Sequence, residues 1–195
     1  TILFFQDVLW MIVLTVGLFI LYKKPAGFDY VYIDSTDQKL KKNNKPVNHQ
    51  AGVLANTLKP YFERTSDSAF IAYNDQPPGC NAEKKYGHSK GVVMMDTTNV
   101  VWLLHSTPNF PEGDESNNFF PPSGKTYAQI FMCVTLPSTK SANIGKAVFL
   151  IKQPSWFQFL VLCSGKVCSY HAFAKAYRFL SGLLAQSVLR VGPFL

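Results

Sequence analysis

Histidine and cysteine are both scarce in this chain, with four of each in 195 residues. Cys80, Cys133, Cys163 and Cys168 form no metal-binding motif. The gap between Cys163 and Cys168 is too wide for a zinc knuckle, and no histidine partners them at ligand spacing. Disulfides would suit a secreted protein, but no spacing here marks a pair. No Asn-x-Ser/Thr sequon occurs, so glycosylation lends no support to export. No internal repeat is visible. Gly124-Lys125-Thr126 imitates the end of a phosphate-binding P-loop, yet the required glycine is replaced by Phe119, which excludes that motif.

Long apolar runs are also missing. The uncharged stretch from Val8 to Tyr22 ends at Lys23-Lys24-Pro25 and falls short of the roughly twenty residues of a membrane helix. Its length suits a signal-peptide core, but Asp7 precedes it where positive charge belongs. The chain opens on Thr1, so a processed or incomplete chain is expected. A signal remnant fused to a buried first strand is the preferred reading, and a membrane anchor is the alternative.

What the chain does have is positive charge. Nineteen Lys and Arg against twelve acidic residues give +7, and the sequence pI is near 9.2. Such a balance favours a polyanionic partner, either nucleic acid or an anionic membrane surface. Lys39, Lys41, Lys42 and Lys45 read as a solvated loop. The length and a 47% hydrophobic fraction suit one domain with a substantial core.

Alternation of apolar residues predicts strands at 18–22 and 30–33, joined by the Pro25-Ala26-Gly27 turn. Residues 34–48 read as polar loop. Residues 52–62 have helical spacing, shortened by Pro60. Further strands are expected at 69–73, 91–95, 100–105 and 147–151, with 91–95 and 100–105 as an antiparallel pair. Residues 108–123 form a long loop of the kind that often carries function. Residues 127–136 fit strand or helix equally. A terminal amphipathic helix is expected over 171–190.

One tripeptide stands out: His88-Ser89-Lys90, between Gly87 and Gly91. On a strand, residues two apart share a face. An imidazole can attack phosphorus or carry a proton, and an ammonium can hold a non-bridging oxygen. His-x-Lys occurs only once in the chain, whereas in-line chemistry of this kind needs two histidines. From spacing alone a histidine before a strand is more often a surface residue. His105 ends the paired strand and reads as a hydrogen-bonded strand-end residue. Asp96 could orient an imidazole, although starting a turn suits it better. His49 lies in polar loop. His171 and Lys175 are spaced for a helix surface.

Several stretches together resemble the deoxyribonuclease II family of acid endonucleases. They are residues 21–25 (LYKKP), Ala51-Gly52 with Leu58-Lys59-Pro60-Tyr61, and Tyr73-Asn74-Asp75-Gln76-Pro77-Pro78. Then come residues 87–92 around His88 and Lys90, Trp102-Leu103-Leu104-His105-Ser106, Pro108-Asn109-Phe110-Pro111, and Tyr127 to Pro137 with Gln129 and Cys133. Seven pieces in the family's order span about Leu18 to Pro154, the amino-terminal half of its pattern.

The resemblance implies an α/β fold with an α+β mixed sheet, one half of a phospholipase D-like arrangement in which two halves share an active site. It implies DNA cleavage at acid pH without metal or cofactor through a phosphohistidine, leaving 3′-phosphate ends, in a lysosomal or secreted setting. His88 and Lys90 are the catalytic pair it implies, with His105, Asn74 and Asp75 as supporting residues. The expected organisation is an apolar leader at 1–17, the family half at 18–154, and a divergent tail at 155–195. Cys133 is expected to lack its usual partner. DNA is the expected partner, with a homodimer completing the site and membrane association through Val8 to Tyr22 as a further option. The alternative is a truncated, inactive relative that binds DNA or another partner.

Overall fold

The computed structural model describes residues 17–64, 68–79, 88–113, 115–152, 161–163 and 166–168. The proposed leader and the helix expected over 171–190 lie outside these residues or reach them only at Gly17. Among the described residues no helix is long and apolar enough to cross a membrane.

Two strand runs build one sheet. The first is β1 (Gly17–Lys23), β2 (Tyr30–Asp34) and β3 (Lys41–Lys42); the second is β4 (Ala69–Asn74), β5 (Lys90–Met95), β6 (Asn99–His105) and β7 (Gln129–Pro137). Their order is β3-β2-β1-β7-β6-β5-β4, and every pairing is antiparallel. The architecture is therefore α+β. The expectation of a mixed sheet does not hold, because each neighbouring pair within a run is linked by a turn or loop rather than a parallel crossover. A separate hairpin joins β8 (Val161–Cys163) to β9 (Lys166–Cys168).

Both faces of the sheet are covered. On one, Leu21, Ala72, Val92, Met94, Leu103, Phe131 and Cys133 pack under α1 (Val53–Thr57), α2 (Lys59–Glu63) and the aromatic loop carrying Phe110, Phe119 and Phe120. Pro60 divides the helical stretch in two. It has no amide proton to continue the ladder, but it fits the first turn of α2. On the other face, Ile71, Tyr73, Val93, Val100, Trp102 and Leu136 pack under α3 (Ser141–Lys152). This helix replaces the strand expected at 147–151. Ile144 and Val148 are one helical turn apart and reach the same cluster, a period that a strand would break.

The stretch 127–136, left open between strand and helix, is strand from Gln129 onward, in β7. Within the expected polar loop 34–48, Lys41 pairs with Asp34 at 2.9 Å and Asp37 at 3.2 Å, which stabilises the short edge strand β3. Cys133 is buried and unpaired, and burial pushes its thiol up to about 12, where it is an inert packing residue. Beyond α3, Ile20, Tyr22, Ile130 and Met132 remain exposed as facing pairs on β1 and β7.

Candidate functional site

Strand register assembles the site. Asn74 pairs with Lys90, Gly91 pairs with Leu104, and His105 pairs with Phe131, itself opposite Leu21. One step along the β5–β6 register sets Lys90 beside His105. A transverse row of Asn74, Lys90, His105, Phe131 and Leu21 thus crosses five strands on one face. Two residues further along β7 and β1, Gln129 pairs with Lys23 on the same face, at the sheet end where His88 precedes β5.

Asp75 follows directly after β4 and joins the two members of the His-x-Lys motif. Its Oδ2 lies 2.9 Å from His88 Nδ1, and its Oδ1 accepts from Lys90 Nζ. The Asp75 and Lys90 side chains are buried, whereas that of His88 is 79% exposed. An ionised carboxylate can only accept, so Nδ1 is the ring nitrogen that donates to Asp75 and Nε2 is left for another partner. Nε2 has no hydrogen-bond partner among the described residues. A cation, an anion and a directed imidazole are thus fixed together.

Asn74 secures the loop that frames this group. Its Nδ2 donates to the Thr107 carbonyl at 3.3 Å and the Phe110 carbonyl at 3.1 Å, and its Oδ1 accepts from the Gln76 amide at 2.8 Å. The Phe110–Pro111 peptide bond is cis. Gly91 is required for a different reason. A Cβ there would lie 2.5 Å from the Tyr73 hydroxyl, which accepts from Trp102 Nε1 at 3.0 Å. Burial, opposed by hydrogen bonds from Trp102 and Ser89, pushes Tyr73 up to about 12.

His105 is not the hydrogen-bonded residue that the sequence suggests. Both ring nitrogens lack a partner among the described residues. The ring lies edge-on to Phe110 at 4.8 Å and stacks on Phe131 at 5.8 Å. Burial first, and then the nearby Lys90 charge, push it down to about 3, against a weaker raising influence from the Thr107 backbone. It is a neutral ring behind Lys90.

Asp96 does cap a turn: its Oδ1 accepts from the amides of Thr98 and Asn99 at 2.7 Å each. His49 accepts locally from the Ala51 amide and stays apart from the motif. Sequence reading did not single out Lys23 as a site residue. Its fully buried ammonium donates to the Gly27 carbonyl at 2.9 Å and the Lys125 carbonyl at 3.0 Å. The only signal in the sequence was its place in the LYKKP stretch. Ser106 and Gln129 also meet through their side chains in this region.

Among the described residues, no three His, Cys, Asp or Glu side chains converge on a point that could hold a metal ion. A cavity of about 440 Å³ opens at the opposite end of the sheet, lined in part by Gly17, Asp34, Thr57, Cys133 and Thr135, away from the His88 group.

The family model for Deoxyribonuclease II matches residues 14–178. Deoxyribonuclease-2-alpha of Sus scrofa is 37% identical over 142 residues, covering 66% of this chain and 39% of the relative. Deoxyribonuclease-2-alpha of Mus musculus is 34% identical, covering 66% and 40%. Deoxyribonuclease-2-beta of Rattus norvegicus is 35% identical, covering 66% and 37%. The chain spans about two-fifths of the length of these relatives.

Proposed function

The chain belongs to the deoxyribonuclease II family, and on that premise we propose that it contributes one half of a phospholipase D-like site that hydrolyses DNA phosphodiester bonds at acid pH without a metal ion. The observation that carries this reading is Asp75, shared between His88 Nδ1 and Lys90 Nζ. It turns a sequence motif into an imidazole of defined orientation beside a fixed cation. The activities named for the relatives support the choice of DNA as substrate.

In the proposed reaction, Nε2 of one histidine attacks phosphorus. The bond from phosphorus to the 5′ oxygen breaks, and that oxygen takes its electron pair together with a proton from a second histidine. Water then displaces the phosphohistidine and leaves a 3′-phosphate, with its proton passing to the second histidine. Lys90 supplies positive charge for the non-bridging oxygens. His88 serves as either nucleophile or acid. His105 is a poor second histidine, because a ring held near 3 carries no proton to give at working pH. Its proposed role is to support Lys90 from behind.

We propose that the second histidine comes from another copy: two chains meet so that His88 of each faces one phosphate with the buried Lys90 charge beside it, and isologous contacts achieve this arrangement. A lysosomal or secreted location fits the acid range. The rival reading is an inactive relative that binds DNA or a partner, favoured by the single His-x-Lys in the chain. Membrane attachment through Val8 to Tyr22 would be revealed by resistance to carbonate extraction.

The test is plasmid nicking at about pH 5 in chelator, with His88→Ala alongside and light scattering for size. Nicking by a dimer that His88→Ala abolishes is the expected result. Nicking by a monomer would refute the shared site. A dimer built through the His88 face that stays inert would favour the non-catalytic reading.

A further inference from the structure

We propose that the turn at residues 24–28 and the turn at residues 122–127 together form a nucleotide subsite, in which Tyr127 stacks on an unpaired base and Lys24 and Lys125 hold the adjacent phosphates. This rests on the reading of the chain as a DNA-binding protein and adds the path that the strand takes beyond His88.

Three observations support it. First, the two turns form one unit. Ala26 donates its amide to the Thr126 carbonyl at 3.1 Å, Gly27 donates to the Lys125 carbonyl at 3.0 Å, and the buried Lys23 ammonium bonds Gly27 and Lys125 from below. Burying a lysine against two neutral carbonyls carries a desolvation cost, and burial lowers its pKa. What it provides is a rigid floor with positive charge beneath it. Second, the unit presents the right groups. Tyr127 is 72% exposed, Lys24 and Lys125 are exposed, and neither ammonium has an ion-pair partner among the described residues. A large apolar ring left in water beside unpaired cations matches the needs of a single-stranded nucleic acid, whose bases stack and whose phosphates require charge.

Third, the position fits. Lys23 pairs with Gln129 at the sheet end where His88 precedes β5, and three strand steps lead from β5 to β1. Neighbouring strands lie about 4.8 Å apart, so the platform begins roughly 10–14 Å across the sheet from the start of β5, which His88 precedes. That places it within a few nucleotides of the phosphate under attack, on the sheet end that His88 occupies. A base can reach Tyr127 only if it leaves the duplex stack, so the subsite selects single-stranded or locally opened DNA.

The experiment measures fluorescence anisotropy with a short labelled single-stranded oligonucleotide, every protein carrying His88→Ala so that the probe stays intact. Tyr127→Ala is expected to weaken binding at least about fivefold, while Tyr127→Phe keeps it. On an abasic oligonucleotide of equal length Tyr127→Ala should change nothing. Lys24→Ala and Lys125→Ala should each flatten the slope of log affinity against log salt by about 0.7. Because all three side chains are exposed, circular dichroism should match the parent. If the His88→Ala parent fails to bind the oligonucleotide, both the DNA reading and the subsite fall. If it binds but Tyr127→Ala and the lysine variants leave affinity and slope unchanged, the subsite alone falls. An equal loss on base-bearing and abasic probes would overturn the stacking role.

Discussion

Replacing His105 with Phe should make the protein more resistant to acid, and the size of the gain follows from the packing. His105 is neutral in the fold because its ring is enclosed by Phe110 and Phe131 beside the Lys90 charge, which holds it near 3. In the unfolded chain it titrates near 6.5. Between those values the unfolded state binds the extra proton, so stability rises with pH and is lost as pH falls. The contribution is complete above about pH 6.5. It is lower by about 2 kcal/mol at pH 5 and by about 4–5 kcal/mol below pH 3. Against a typical total of about 5–15 kcal/mol, this is a large loss for one residue.

His105→Phe removes the titration and both unpartnered nitrogens while keeping an aromatic ring in the box. Urea unfolding of both proteins at a series of pH values tests this. Other titrating groups cancel in the difference between the two curves, which should widen by about 2 kcal/mol from pH 7.5 to pH 5. Parallel curves across that range would show that His105 takes up its proton without leaving the fold, and the argument from burial would be wrong.

Asp75→Asn should lower nicking at least about a hundredfold, because an amide no longer fixes one imidazole tautomer. Asp75→Ala should also cost about 3–5 kcal/mol in urea unfolding, since it leaves the Lys90 ammonium buried without its counter-ion. Gly91→Ala should destabilise by about 1–3 kcal/mol, because the added methyl displaces the Tyr73 hydroxyl from Trp102. A shift of the buried Trp102 fluorescence should accompany it. Lys23→Met should cost about 1–3 kcal/mol by unpairing two carbonyls, and hydrogen exchange should speed up at the Ala26 and Gly27 amides.

The strands were legible because alternation marks them: Leu21 and Lys23 turn inward while Ile20 and Tyr22 face out. The antiparallel pair β5–β6 was readable from its short turn, with Asp96 at the start. The helix α3 was not. Its apolar segment is short and covered by the sheet, and a buried run of that length has no periodicity distinguishing strand from helix. In the site, the common face of His88 and Lys90 follows from a two-residue spacing. The geometry of Asp75 does not, because it depends on how β4 registers against β5. Nor does the sequence disclose that His105 is unpartnered: a strand-end histidine becomes a buried one only when the loop carrying Phe110 folds over it. Lys23 looked like the charged end of an apolar run, and only the meeting of two distant turns gives its ammonium acceptors.

The strand order has a consequence in time. β4 to β7 are neighbours in sequence as well as in space, so Asp75, Lys90 and His105 can be brought together by short, local connections. The β1–β7 seam is different, since Lys23 must find a carbonyl 102 residues away. Local contacts form ahead of distant ones, because closing a long loop carries a larger entropic cost. As the chain emerges during synthesis, β1 to β3 can pair with one another but must wait for β7 before they join the rest of the sheet. The Asp75, Lys90 and His105 group is therefore an early structure, and the proposed platform for the DNA strand is completed only when the last strand of the sheet arrives.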